Sequence, residues 1–146
     1  MLFSQTVDYA LRAVVFLASQ TEHSSTIDAI SETTGVPSPY LRKVLAKLRD
    51  AKILRTRRGI HGGVVLDREP DSLTVLDIVS AVDPLGRIDS CPLGIEGHLH
   101  LCPLHAQLNA AIDGVERILA ERTIAELLGL RRSSRKTCRF PFNPRP

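Results

Sequence analysis

The segment Cys91-Pro-Leu-Gly-Ile-Glu96-Gly-His98-Leu-His100-Leu-Cys102-Pro-Leu-His105 brings two cysteines, three histidines and a glutamate into fifteen residues. Thiolate together with imidazole suits zinc or an iron–sulfur cluster. Cys91 and Cys102 bracket a loop that runs into a helix. His105 follows Cys102 by about one helical turn, so both side chains can face one point. A thiolate beside a helix N-terminus is also favoured electrostatically. Three other uses of these residues stay open: reduced core cysteines, a redox-switchable disulfide, and histidines that simply face solvent. The third cysteine, Cys138, reads as a free thiol. An odd cysteine count fits a reducing compartment. With no positively charged apolar leader and no membrane-length apolar run, the expectation is a cytosolic chain without a membrane partner.

A second group of residues could do a different kind of chemistry. Arg42, Lys43, Lys47, Arg49, Lys52, Arg55, Arg57 and Arg58 fall within seventeen residues that hold one acid, Asp50. The formal charge of +3 conceals this concentration. Six of the nineteen Lys and Arg lie in Arg131–Pro146, which leaves thirteen against all sixteen acids in residues 1–130. A mildly acidic body with one basic stretch points to a directed anionic partner. Solvated helix faces normally mix both signs, and this one does not.

The elements that must position these groups follow from spacing. Val7, Leu11, Val14, Val15 and Ala18 mark a helix over Thr6–Ser19, with Asp8 in its first turn as a capping acid. Thr26 caps a second helix, Ile27–Thr33, closed at Thr34-Gly35. Ser38 is expected to cap a third, with Pro39 at its first position. Leu41, Val44, Leu45 and Leu48 form that helix's inner face, and its basic residues fall on the other. Two short helices, a glycine-bearing turn and a basic helix give the helix-turn-helix pattern. Strands at Ile53–Thr56 and Val64–Asp67 flank Arg57-Arg58-Gly59-Ile60-His61-Gly62-Gly63. This is a glycine-rich hairpin whose arginines suit the negative potential of a DNA minor groove. Thr74 caps Val75–Val82. Pro103–Arg122 is the longest helix, and its seam of Leu104, Leu108, Ala111, Val115 and Ile118 alternates steps of four and three, as in a coiled coil. The seam is read as a dimer surface, with Ile112 and Leu119 left for the chain's own body. Thr123 caps a last short helix. The tail is basic and proline-containing and reads as disordered.

With Thr6-Val7-Asp8-Tyr9-Ala10-Leu11-Arg12-Ala13, Val36–Leu48, Arg58-Gly59-Ile60-His61-Gly62-Gly63, Asp77–Asp83 and the cysteine loop laid out, the chain resembles the winged-helix redox regulators that include NsrR and IscR. The resemblance covers Met1 to about Leu130. It implies a homodimer with an N-terminal winged helix-turn-helix and a long dimerisation helix. It also implies an iron–sulfur cluster (2Fe-2S or 4Fe-4S) on loop cysteines with a fourth ligand of another type. Asp8 matches the aspartate that one branch supplies from the partner subunit. Cys91 and Cys102 match the first and third cysteines, and His105 matches a ligand histidine. The sequence departs at the middle cysteine, where Glu96 stands. Two cysteines with Asp8, Glu96, His98 or His105 would complete such a site, and relatives without a cofactor also exist.

The resulting expectation is a mainly α protein. Residues 1–83 form the winged helix-turn-helix with a two-stranded wing, and 84–102 the Cys/His sensor loop. Residues 103–130 form the dimerisation and terminal helices, and 131–146 the tail. Its partner is a pseudo-palindromic double-stranded DNA operator. Thr26, Ser38, Pro39, Tyr40, Arg42, Lys43 and Lys47 would contact it from the helices, and Arg57, Arg58, His61, Gly62 and Gly63 from the wing. The regulator is expected to be a repressor. No oxyanion-hole loop, substrate-pocket signature or cofactor fingerprint accompanies these residues, so no enzymatic activity is expected.

Overall fold

The helix Gln5–Ser19 (α1) is apolar on more than one stripe: Val7, Ala10, Ala13, Val14, Val15, Phe16, Leu17 and Ala18 are all buried. Such a helix must be covered from several sides. The computed structural model, which describes residues 3–20, 24–90 and 101–129, shows how. The following elements are α2 (Ile27–Thr34), α3 (Ser38–Asp50), β1 (Leu54–Arg57), β2 (Gly63–Leu66), α4 (Val75–Val82), α5 (Pro103–Ala120) and α6 (Ile124–Leu127), with a 3-10 turn at Pro70–Ser72. Helices α2, α3 and α4 pack directly on α1, and α6 also reaches it. Ile124 is fully buried in the same core, and its N–H donates to the Leu73 carbonyl at 2.8 Å. The last helix therefore returns to the body after the long α5.

Caps set the boundaries. The Ser4 hydroxyl accepts from the Val7 N–H and caps α1, the role expected of Asp8. Asp8 instead pairs with Arg12 one turn on, at 2.8 Å. Thr26 caps α2, which ends at Gly35 with φ 69°, a left-handed C-terminal glycine. At α3 the expectation shifts by one residue: Pro37 takes the cap position, and Ser38 and Pro39 are already helical. Thr74 and Asp77 form a reciprocal capping box on α4, and Thr123 and Glu126 form another on α6.

The stripe Leu41, Val44, Leu45 and Leu48 seats α3 on the core, with Leu41 and Leu48 fully buried. Each such leucine contributes about 1.5–3 kcal/mol relative to exposure. Strands β1 and β2 pair antiparallel, Leu54 with Leu66 through to Arg57 with Gly63. Both lie within one residue of their expected bounds. The pair is extended by Ser25, whose N–H and carbonyl bond to Val64 at 3.0 and 2.8 Å. No helix among the described residues is long and apolar enough to cross a membrane.

Candidate nucleic-acid interface and thiol–imidazole pair

Helix α3 and the wing present their polar faces side by side. Arg42, Lys43 and Arg49 are exposed on α3, and Arg57, Arg58 and His61 on the wing. Between them lies a groove of about 400 Å3, lined by Leu45, Ala46, Leu54 and Val64 and by Arg42, Arg49 and Arg55. Two cations of the basic stretch also have partners within the fold. The Lys47 ammonium donates to the Val82 carbonyl at 2.6 Å, at the C-terminal end of α4. Arg55 pairs with Asp67 at 3.0 Å. Both side chains remain exposed, and each also makes a contact within the fold that charge counting along the chain does not reveal.

The helix-turn-helix corner is tied by hydroxyls. Ser38 donates to Ser31, 3.1 Å, and Ser31 donates to the Val36 carbonyl, 2.6 Å. Ser38 therefore locks α3 onto α2 rather than capping it. Thr26 is exposed and accepts from the Ala29 N–H at 3.2 Å. Tyr40 is 56% exposed at the start of α3 and meets the Tyr9 ring at 6.1 Å. Arg12, the partner of Asp8, also reaches the Thr34 carbonyl at 3.4 Å. Helix α1 thus touches both ends of the turn.

Glycine chemistry shapes the wing. Gly59 sits at φ 110°, outside the range of ordinary side chains. Gly62 and Gly63 are required for a different reason. A Cβ at Gly62 would lie 2.7 Å from the Arg57 carbonyl oxygen, and one at Gly63 2.6 Å from that of Ser25. The Ser24 hydroxyl donates to the His61 carbonyl and pins the tip to the body. Ile60, which carries no role in the sequence-based reading, stands at the summit, 99% exposed. Its signal was present: a β-branched apolar residue in a loop otherwise built of arginine, histidine and glycine.

At the far end, Cys102 is the N-cap of α5, and its Sγ lies 3.1 Å from His105 Nδ1. His105 is buried, the one α5 residue that is. Cys91, Glu96, His98 and Cys138 lie outside the described residues. Among the described residues no group of three or more metal-ligating side chains comes together. The expected seam is open: Leu104 is 64% exposed, Leu108 46% and Ile118 62%. Ala111 is exposed and Val115 half-buried. Leu119, on the other side, packs against the core. Arg87 fixes α5 to the preceding chain through Glu116, at 2.7 Å, and Asp113. These two acids raise its guanidinium above its ordinary value, Glu116 most.

Residues 3–129 match the family model described as "Rrf2: Iron-dependent Transcriptional regulator". The chain belongs to the Rrf2 family. It is 31% identical to Protein aau3 of Rhizobium meliloti (strain 1021) over 140 residues, covering 90% of this chain and 87% of that one. A protein of Aquifex aeolicus carried under the name of an HTH-type transcriptional regulator is 32% identical over 93 residues. That match covers 64% of this chain, which spans 65% of the relative's length. Among solved structures, T. potens IscR is 27% identical with a TM-score of 0.71, covering 86% of this chain and 85% of that one. CymR, the global cysteine regulator of B. subtilis, is 26% identical with a TM-score of 0.72, covering 89% and 98%. The Rrf2 assignment makes the winged helix-turn-helix a DNA-binding unit and the chain a transcriptional regulator rather than an enzyme.

Proposed function

We propose that this Rrf2 regulator is a homodimeric repressor that grips a pseudo-palindromic operator with two copies of α3 and the wing. Its affinity would be set by a redox, nitric-oxide or metal event at the Cys91–His105 loop. The observation that carries the reading is α5. Its N-terminus holds the Cys102–His105 pair, and its outer face leaves Leu104, Leu108 and Ile118 exposed. A second copy laid along that face buries the seam and spaces two recognition helices along one side of a duplex. Arg42 and Lys43 would meet the major groove, with Tyr40 at the helix start. Arg57 and Arg58 would meet the minor groove.

The donor chemistry fits part of an iron–sulfur or zinc site. A cysteine sulfur and an imidazole nitrogen converge at Cys102 and His105, and the remaining ligands would come from Cys91, Glu96 or His98 and the partner subunit's Asp8. A bound cluster would supply the redox and nitric-oxide reactivity. The chain's own part is to transmit it. Recruiting Asp8 to a ligand role frees Arg12, which also holds the Thr34 carbonyl at the helix-turn-helix corner. A shift there reaches α3 through Tyr9 and Tyr40. Such coupling requires only about 1–3 kcal/mol of differential affinity.

The 3.1 Å contact between Cys102 Sγ and His105 Nδ1 also suits a second reading: a cofactor-free regulator with a thiol switch or a structural loop. Anaerobic purification followed by iron, zinc and sulfide analysis and an absorption spectrum separates the two. Iron with equimolar sulfide and visible charge-transfer bands supports the cluster; metal-free protein that still responds to thiol oxidants supports the switch. Unchanged operator affinity and redox response in Cys91→Ser and Cys102→Ser would remove both sensing roles.

A further inference from the structure

A polar residue or glycine is what local turn chemistry favours at a hairpin tip. Ile60 gains nothing there from folding. It is 99% exposed, so its side chain touches almost none of its own chain. The tip beneath it is firmly built. The Gly62 N–H closes the loop on the Gly59 carbonyl at 2.8 Å, and β2 is held on its outer side by two hydrogen bonds to Ser25. The flanking Arg57, Arg58 and His61 are exposed as well. An apolar group is therefore carried on a rigid support at the centre of a positive cluster.

Positive charge draws this tip to a minor groove. An uncharged branched side chain delivered there can only exclude water from the sugar walls and the groove floor. We propose that Ile60 is the wing's specificity residue, packing apolar surface into the minor groove and selecting A·T over G·C at that position. The physical cause is the guanine 2-amino group. It is the one feature that tells G·C from A·T in the minor groove. An apolar side chain pressed against it would strip its water and return no hydrogen bond. The selection thus lies in a contact that carries no charge, beside arginines whose attraction follows the potential and width of the groove.

The inference rests on the wing reading above, and the test keeps the two apart. Duplexes enriched from a randomised pool by the wild-type protein are bound by wild type, Ile60→Ala and Arg58→Ala over a range of salt. Ile60→Ala should keep its thermal midpoint and its salt slope yet bind about tenfold more weakly. Inosine·cytosine pairs at the wing position present the A·T minor-groove face with the G·C major-groove pattern. Wild type should bind these as tightly as A·T and should bind G·C more weakly, whereas Ile60→Ala should lose most of that difference. Equal wild-type affinity for inosine·cytosine and guanine·cytosine, or undiminished binding by Ile60→Ala, overturns the proposal. If Arg58→Ala is also undiminished, the wing reading falls with it. If only Arg58→Ala weakens, the wing reading stands and Ile60 is not the reader.

Discussion

Helices α3 and α5 carry apolar stripes of nearly the same spacing and meet opposite fates. In α3, Leu41, Val44, Leu45 and Leu48 are at most 6% exposed. In α5, Leu104, Leu108 and Ile118 are between 46% and 64% exposed, while Leu119 alone among its leucines joins the core. The stripe on α3 is consumed by its own chain, which leaves its polar face free for a ligand. The stripe on α5 is left over. Periodicity tells that a helix has a face to cover; it does not tell which molecule covers it. In this chain the difference separates a self-sufficient reading unit from a surface that the proposed dimer would use.

The sharpest way to break that contrast is to truncate one residue in each stripe. Leu48→Ala should cost about 2–5 kcal/mol in a urea titration, because it removes fully buried atoms and leaves a cavity. Leu108→Asp should leave the helical circular dichroism of the monomer nearly intact and convert the sedimenting species from dimer to monomer. A variant that still sediments as a dimer would place the interface elsewhere.

Next in size is Gly63→Ala. A Cβ there meets the Ser25 carbonyl at 2.6 Å, against backbone that cannot swing aside. A loss of about 1–3 kcal/mol is expected from the overpacking. Faster hydrogen exchange at the Ser25 and Val64 amides would report it, with α5 unaffected. Unchanged protection would mean the wing yields more readily than its close contacts imply.

Smaller still is the split between Lys47 and Arg42, neighbours on the same basic helix. Lys47→Ala removes a cation hydrogen-bonded at the C-terminal end of α4 and should cost about 1 kcal/mol of stability. Its effect on operator affinity and salt slope should be slight. Arg42→Ala should do the reverse, leaving stability alone and reducing the salt slope by about one. Equal effects of both on DNA binding would make Lys47 a DNA contact as well as a partner of α4.

These cases also show what the sequence made legible. Helix bounds followed from Thr26, Gly35, Thr74 and Thr123, because capping is local chemistry between residues a few positions apart. The wing followed from strand spacing around a glycine cluster. The partners of Lys47 and Arg55 were not legible: Val82 and Asp67 lie 35 and 12 positions away, and only the fold brings them close. Ser38 looked like a cap because serine before proline usually is one, yet its hydroxyl found Ser31 across the turn. Cys102 and His105 are three residues apart, and the structure adds the 3.1 Å contact between them. The remaining candidates, Cys91, Glu96 and His98, lie outside the described residues, so the sensor loop rests on its residue types.

The smallest effect is expected on α4, the helix that both regions share, since it packs on α1 and α3 and also on α5. Partial burial raises the Asp77 carboxyl, but the N–H and hydroxyl of Thr74 and the Arg68 guanidinium outweigh it and hold the group below its ordinary value. The Thr74 N–H donates to it at 2.9 Å, and Arg68 lies at 3.3 Å. A folded value below the unfolded one means the unfolded chain binds the proton more readily, so this contribution rises with pH. It is complete above the unfolded value of about 3.9 and is lost as pH falls through the lowered folded value. Urea midpoints of wild type and Asp77→Asn between about pH 2 and pH 6 should therefore differ most at the upper end and converge at the lower. Parallel curves would show that the capping box holds α4 equally well without the charge. The link between reader and seam would then depend on packing alone.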